Sequence, residues 1–219
     1  MPRAIWSGSI SFGLVNIPVK LYSAISEKNV RFNQLDRRNG ARVKQLRTNA
    51  ETGEEVGWDD IVKGYEVTKG HYVVVTDDEL AAFMPEVTHT IDLECFVDLD
   101  EIDPVYFDGA YHVAPAKAAK PYALLVKAME ESNKVAIAKF VMRSKQYLAA
   151  LRPKDGTLLL SMMVYADELN ATADIADFDD LEGVKVEPKE VAMAEQLIAS
   201  LSEPFDPELF HDTYREQVL

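Results

Sequence analysis

The chain has 219 residues, 47% of them hydrophobic, and a formal charge of −14 at neutral pH. That length can bury a core of its own. The lack of any run of about 18 apolar residues excludes a membrane-spanning helix, and the single cysteine, Cys95, excludes an internal disulfide framework or a cysteine-rich zinc site. The opening Met-Pro-Arg-Ala-Ile-Trp has no apolar h-region, so no secretory leader is expected, and the composition reads as that of a reducing, cytosolic protein.

Residues 4–25 read as two strands. Ile10 and Phe12 alternate with Ser9 and Ser11, and after Gly13 the alternation resumes at Val15, Ile17, Val19 and Leu21. Pro18 marks an edge or a bend. Asn39-Gly40 is the strongest hairpin signal, because a type I′ turn needs positive φ at both central residues; it folds residues 29–38 back along 41–48. Tyr72–Thr76 is a compact strand. Thr76-Asp-Asp-Glu79 is a capping box that opens a short helix through Phe83, stopped by Pro85. Thr90–Leu99 and Val105–Val113 read as strands. Pro121–Ser132 reads as a helix with Leu124, Leu125, Ala128 and Met129 on one face. Val135–Arg143, Tyr147–Leu151 and Leu158–Tyr165 are β-rich, with a hairpin turn at Asp155-Gly156. Glu187–Leu201 is helical, with Pro188 near its first position, and Asp206-Pro207 opens a final helix carrying Leu209, Phe210 and Tyr214. The sequence shows no internal repeat. Many strands, one mid-chain helix, more strands and a helical tail predict an α+β, mostly-β barrel with a C-terminal arm, divided as a core over 1–186 and an arm over 187–219.

Charge is segregated along this frame. Residues 31–47, RFNQLDRRNGARVKQLR, hold six Arg or Lys and one acid. Residues 48–114 hold 17 acids against two bases, residues 115–154 nine bases against two acids, and residues 165–219 fifteen acids against three bases. In a two-residue hairpin at Asn39-Gly40, Arg37 faces Arg42 and Lys44 follows on the same face. Like charges directly opposed are destabilising, and a ribbon without an apolar face is marginal alone. One reading is a solvated hairpin paired with the acids that follow, through contacts worth little. The other is a ribbon that a polyanion completes. A longer turn over Arg37–Ala41 changes which residues face each other. Ten strand residues span roughly 33 Å, enough to reach about halfway around a duplex, and a Debye length of about 8 Å screens acids on an outer surface from phosphates inside.

Other clusters carry less. Asp98, Asp100, Glu101 and Asp103 supply hard oxygen ligands but lack the glycine and terminal glutamate of an EF-hand, so a solvated acidic turn is expected. His71, His89, His112 and His211 stand at no metal-ligand spacing. Cys95 reads as a small core residue. SGSISFG, residues 7–13, lacks the lysine of a phosphate-binding loop. No catalytic residue, metal or cofactor is read. Lys117, Lys120, Lys127, Lys134 and Lys139 read as solvent-facing, and Arg143, Lys145, Arg152 and Lys154 as flanking turns.

Five stretches in colinear order, RAIWSGSISFGLVNIPVKLYSA (3–24), DIVKGYEV (60–67), EIDPVYFDGAYHVAP (101–115), AIAKFVMRSKQYLAALRPKDGTLLLSMMVYADEL (136–169) and FDPELFHDTYRE (205–216), together resemble the bacterial Ku family. The resemblance implies a homodimeric ring on a β-barrel that threads onto double-stranded DNA ends without reading sequence and recruits ligase D for non-homologous end joining, in the cytoplasm at the nucleoid. The strap that crosses DNA in the family lies at about residues 28–60 here. By position and charge, Arg31, Arg37, Arg38, Arg42, Lys44 and Arg47 are the expected DNA contacts. Val191, Leu197, Ile198, Leu201, Leu209 and Phe210 on the arm are the expected dimer contacts. Family members usually continue into a lysine-rich tail tied to ligase contact; this sequence ends at YREQVL. Two rival functions are an acidic DNA mimic that inhibits a DNA-binding protein, suggested by the charge of −14, and a metal-dependent nuclease using residues 98–103.

Overall fold

The computed structural model describes residues 2–84 and 88–219. They form two compact units, one from the chain up to Glu27 and Phe32–Tyr165, the other from Lys28–Arg31 and Ala166–Leu219. The first unit contains nine strands: β1 (Trp6–Phe12), β2 (Val15–Ser23), β3 (Lys63–Thr68), β4 (His71–Val75), β5 (Thr90–Val97), β6 (Phe107–Pro115), β7 (Val135–Met142), β8 (Lys145–Lys154) and β9 (Thr157–Met163). Seven close into a barrel in the order β1-β2-β6-β9-β8-β7-β5, and β3 with β4 forms a separate two-stranded ribbon. The barrel is antiparallel except at its seam, where β5 runs parallel to β1 through Ser9↔Thr90, Ile10↔Ile91 and Ser11↔Asp92.

Period-two patterning builds the interior. Ile17, Val19 and Leu21 of β2 are all buried, and with Ile10, Ile91, Val113, Phe140, Leu151, Leu158 and Leu160 they fill the core. Pro18 sits where it does no harm. It opposes Ser9 of β1, whose N–H turns away to the His89 carbonyl at 3.0 Å, and pairing of β2 with β6 begins only at Val19. At the start of β1 the Trp6 indole donates to the Val141 carbonyl at 3.1 Å and stands edge-on to Phe140, with ring centroids 5.9 Å apart. Gly8 makes room for that ring, since a Cβ there would lie 2.2 Å from Trp6 and 2.1 Å from the His89 carbonyl.

Two hairpins close with both turn residues at positive φ, the signature of type I′. Asp155 and Gly156, at 51° and 70°, match the expected turn. Arg143 and Ser144, at 52° and 63°, do the same without a glycine.

Thr76 and Glu79 form the expected capping box, but the helix they open, α1 (Asp77–Ala81), stops short of Phe83; the expected stop at Pro85 lies outside the described residues. The mid-chain helix, α2 (Ala119–Ser132), is closed by Asn133 in the left-handed region. Its buried stripe is Tyr122, Leu125, Val126 and Met129. Leu124 and Ala128, expected on that stripe, are exposed instead, because the i, i+3, i+4, i+7 set that meets β8 and β9 starts at Tyr122. Cys95 is also exposed, not part of the core. A bulge between Leu93 and Cys95 breaks the alternation of β5 and turns the thiol outward.

Tyr122 ties the helix to the barrel. Its hydroxyl donates to the Val113 carbonyl at 2.6 Å and accepts from the Leu158 N–H at 2.8 Å, joining β6 and β9. Burial pushes the phenol above its ordinary value, with the Leu158 N–H working weakly the other way.

The second unit contains α3 (Pro188–Leu201), with Glu187 and Glu190 as a capping box and Pro188 at its first position, and α4 (Thr213–Val218), capped by Asp212. The final helix starts later than expected. Asp206 and Pro207 open only a single 3-10 turn, Pro207–Leu209, which Phe210 ends in an extended conformation. Every described residue from 170 to 219 is exposed except Arg215, which is half-buried, so this unit holds no core of its own.

Tyr122→Phe should cost about 1–3 kcal/mol, because it strands a buried N–H, and urea unfolding against wild type checks it. The phenol contributes in its neutral form and its folded-state value is raised. That contribution is complete below the ordinary tyrosine range and lost as pH climbs through the raised value, so the stability gap between wild type and variant should shrink only at strongly alkaline pH. A gap unchanged across that range would count against the burial that raises the phenol, and no gap at neutral pH would count against the assigned hydrogen bonds.

Candidate nucleic-acid interface

Residues 24–89 leave the barrel at the end of β2 and return at the start of β5. Within them, two consecutive hairpin turns share one construction. In the first, Leu35 pairs with Arg42, the Asp36 N–H donates to the Ala41 carbonyl at 2.8 Å, the Gly40 N–H to the Asp36 carbonyl at 2.7 Å, and the Val43 N–H to the Gln34 carbonyl at 3.0 Å. Thirteen residues later, by sequence number, Thr48 pairs with Glu55, Asn49 donates to Glu54 at 2.8 Å, Gly53 to Asn49 at 2.9 Å, and Val56 to Arg47 at 2.9 Å. Gly40 and Gly53 hold φ of 70° and 72°, and a Cβ added at either would meet no neighbouring atom, so only backbone freedom demands glycine there. An acidic or amide side chain, Asp36 or Asn49, caps each loop by accepting backbone N–H groups.

This replaces the two-residue turn expected at Asn39-Gly40. Asn39 is absent from the positive-φ residues, so a type I′ turn is ruled out; its side chain instead accepts the Ala41 N–H at 2.9 Å. The wider loop pairs Arg42 with Leu35, and Arg37 moves into the turn, away from Arg42. The opposed-arginine conflict is thereby relieved by geometry, without a counterion.

The bases differ in how they are held. Asp36 grips the Arg38 guanidinium through both carboxylate oxygens, the shortest contact being 2.7 Å, which holds the Asp36 carboxyl below its usual range and raises Arg38. The Arg42 guanidinium donates to the Asn33 side chain at 2.5 Å. Arg47 lies 3.5 Å above the ring centroid of Trp58, a solvent-exposed cation–π contact. Arg37 and Lys44 are exposed and have no ion-pair partner among the described residues. Arg31 belongs to the second unit and the other five to the first.

The first turn is therefore cationic and the second, with Glu51, Glu54 and Glu55, anionic. The second turn and the Arg47–Trp58 contact were missed in the sequence. The signal for the turn was an acid or amide followed four residues on by glycine, Asp36…Gly40 and then Asn49…Gly53; the Arg47–Trp58 contact had none.

Beyond these turns, β3, also unforeseen, pairs with β4 in a ribbon that buries none of its residues. In the other basic block, Lys134 meets Asp98 at 2.8 Å, Lys139 meets Glu94 at 3.5 Å and Lys127 meets Glu131 at 3.7 Å. Asp98 and Asp103 cap 3-10 turns, and among the described residues no group of three possible ligands could hold a metal ion. No helix of the described residues is long and apolar enough to cross a membrane. On the second unit Val191, Leu197, Ile198, Leu201, Leu209 and Phe210 are all exposed, and Phe210 stacks on Phe205 with centroids 5.9 Å apart.

The family model "Ku70/Ku80 beta-barrel domain" matches residues 11–193. The chain belongs to the Ku family. A non-homologous end joining protein Ku of Anaeromyxobacter is 48% identical over the whole chain and 74% of its own length. A second, from Saccharopolyspora erythraea, is 46% identical over the whole chain and 67% of its length, and one from Coxiella burnetii is 41% identical over 99% of this chain and 80% of its own. Both hairpin turns, six of the seven barrel strands, the end of β1 and the first residues of α3 fall inside the matched Ku span.

The Asp36 carboxyl should titrate below an ordinary aspartate. A depressed folded value means the capped turn is favoured above the unfolded value and loosens as pH falls through the lower one. Carbon-13 NMR of the carboxylate checks this, and in Arg38→Gln the midpoint should move back up; an unchanged midpoint would remove the guanidinium as its cause.

Proposed function

We propose that two copies of this chain form a ring that threads onto double-stranded DNA ends, protects and bridges them, and recruits a repair ligase for end joining. The observation that carries the reading is the first hairpin turn: an exposed cationic tip, pre-shaped by the Asp36 and Asn39 caps, with Arg37 and Lys44 left unpaired by protein among the described residues. Side chains of this kind meet phosphate oxygens, which carry no base identity, so binding is indifferent to sequence. Arg42, with only an amide partner, joins Arg37 and Lys44 in the grip. Arg38 and Arg47 shape the strap first and touch the phosphates second, and Arg31 is the sixth cation of the reading. The acids of the second turn face away from the duplex and keep the collar from coating itself in nucleic acid.

The chain is non-enzymatic in this reading. Sealing of the strands falls to the recruited ligase, ligase D in bacterial members of the family, and the work is done at the nucleoid in the cytoplasm. The names of the relatives, all for end joining, support the pathway. The exposed apolar stripe of α3 with Leu209 and Phe210 supports an arm, residues 187–219, that dimerises the core.

Linear duplex should shift in a gel and a sealed circle of the same sequence should not; equal retention of the circle would refute threading, and no retention of either would favour an acidic DNA mimic. Arg37→Gln with Lys44→Gln removes four cations from a dimer, so the slope of log affinity against log salt should flatten by about 3 to 4, whereas Arg38→Gln should change it by less per charge removed. A chain ended at residue 186 should lose its dimer by light scattering while keeping barrel circular dichroism.

A further inference from the structure

The two type I′ turns of the barrel differ in a way the fold does not require. Asp155-Gly156 is a pairing that such a turn favours. Arg143 and Ser144, at φ of 52° and 63°, are not: each carries a Cβ into a region that suits glycine or asparagine. Packing does not call for either side chain. Arg143, Ser144 and Lys145 are all exposed, and among the described residues neither base has an ion-pair partner. A costly turn of exposed cations, standing where Asn-Gly would close the same hairpin, points to a use outside the barrel.

The strand register says where this turn lies. β7 ends beside the start of β5, through Ile91↔Phe140, and Trp6 at the start of β1 donates to the Val141 carbonyl, two residues before the turn. Trp6 also opposes Leu21, near the end of β2. The Arg143-Ser144 turn is therefore at the end of the barrel where residues 24–89 leave and return, directly beside the return foot at His89. β8 then runs from Lys145 to Lys154 along the barrel, so Asp155-Gly156 lies at the opposite end. The relaxed turn is far from the feet of the strap, and the strained cationic turn adjoins one of them.

Lys145 is also braced. Its Nζ lies 5.4 Å from the ring centroid of Tyr147, whose ring is 5.8 Å from that of buried Phe140, itself 5.9 Å from Trp6. A cation set on aromatics that reach into the core is oriented before any ligand arrives.

We propose that the Arg143–Lys145 turn is a second phosphate-binding element, which grips the sugar–phosphate backbone of the duplex from the barrel while the cationic tip grips it from the strap. This rests on the reading of the chain as a duplex-binding collar. It adds two cations per copy to that reading, at a place fixed by the barrel ladder and not by the strap.

The test uses the full chain and a linear duplex, with affinity measured across a range of salt. Arg143→Asn with Ser144→Gly rebuilds the turn in its relaxed form. Its melting temperature should hold or rise, by up to about 4 °C, while affinity falls about threefold or more and the slope of log affinity against log salt flattens by about 2, two cations being lost from a dimer. Lys145→Gln should flatten the slope by a similar amount. Lys154→Gln, at the other end of the barrel, should leave it unchanged. A flattened slope with the melting temperature held or raised supports the contact, because a merely structural turn would not gain or keep stability as it lost DNA. An unchanged slope in either turn variant overturns the proposal. So does a relaxed turn that melts below wild type, or a Lys154→Gln that flattens the slope as much as Lys145→Gln. Wild-type protein that binds no duplex overturns the collar reading along with it. Binding that Arg37→Gln with Lys44→Gln weakens and the turn variants do not removes this element alone.

Discussion

The parallel seam between β5 and β1 is the constraint on which the outward-facing parts depend. β1 is flanked by β2 on one side and β5 on the other. Residues 24–89 therefore leave from one neighbour of β1 and return to its other neighbour, with feet about 10 Å apart across the sheet and offset by about five residues along it. A long excursion pinned at two nearby points must form an arch or fold into small units along its way. It does the second locally, as two capped turns and a two-stranded ribbon, each with few buried residues. The Ser9 N–H on the His89 carbonyl and the Gly8 gap that admits it fix where the return foot lands. Loss of the seam would free that foot and expose the unpaired edges of β1 and β5.

The barrel was largely legible in the sequence because its information is local and redundant. Ile17, Val19 and Leu21 state the inward face of β2 by alternation alone, though Val15 at its start is exposed, and Asp155-Gly156 and Thr76…Glu79 name a turn and a helix start through chemistry confined to a few residues. What failed depended on partners distant in the chain. The face of α2 was misassigned because Leu124 and Leu125 are equal in hydropathy. Only Tyr122, with a hydroxyl that must reach Val113 and Leu158, decides which of them turns inward. Cys95 was misplaced because a bulge is invisible to a period-two count. The family resemblance carried the fold further than periodicity did, but it did not carry the register of the strap.

The candidate site shows the same division. Which residues are basic was plain; how they are disposed was not. Asn39-Gly40 is a strong two-residue turn signal, yet Asp36 competes for the same turn. Its side chain accepts the Arg38 N–H and guanidinium while its carbonyl takes the Gly40 N–H, and these contacts outweigh the cost-free alternative at Asn39. The wider loop that results separates like charges, which a narrow turn would have stacked. One carboxylate therefore sets both the shape and the charge spacing of the tip.

Two turns with one construction and opposite charge let a chain of −14 carry a locally cationic tip. Exposed charges more than about 8 Å apart are largely screened at physiological salt, so what phosphate meets is decided by the nearest side chains and not by the total. A cationic turn and an anionic turn on the same backbone frame place opposite charge at two separate tips along the chain. Exchanging the charges of the two turns would leave the net charge and both backbone frames unaltered while moving the cationic tip thirteen residues along the chain. Affinity lost on that exchange would follow from position alone, which separates placement of charge from amount of charge more sharply than any neutralising substitution.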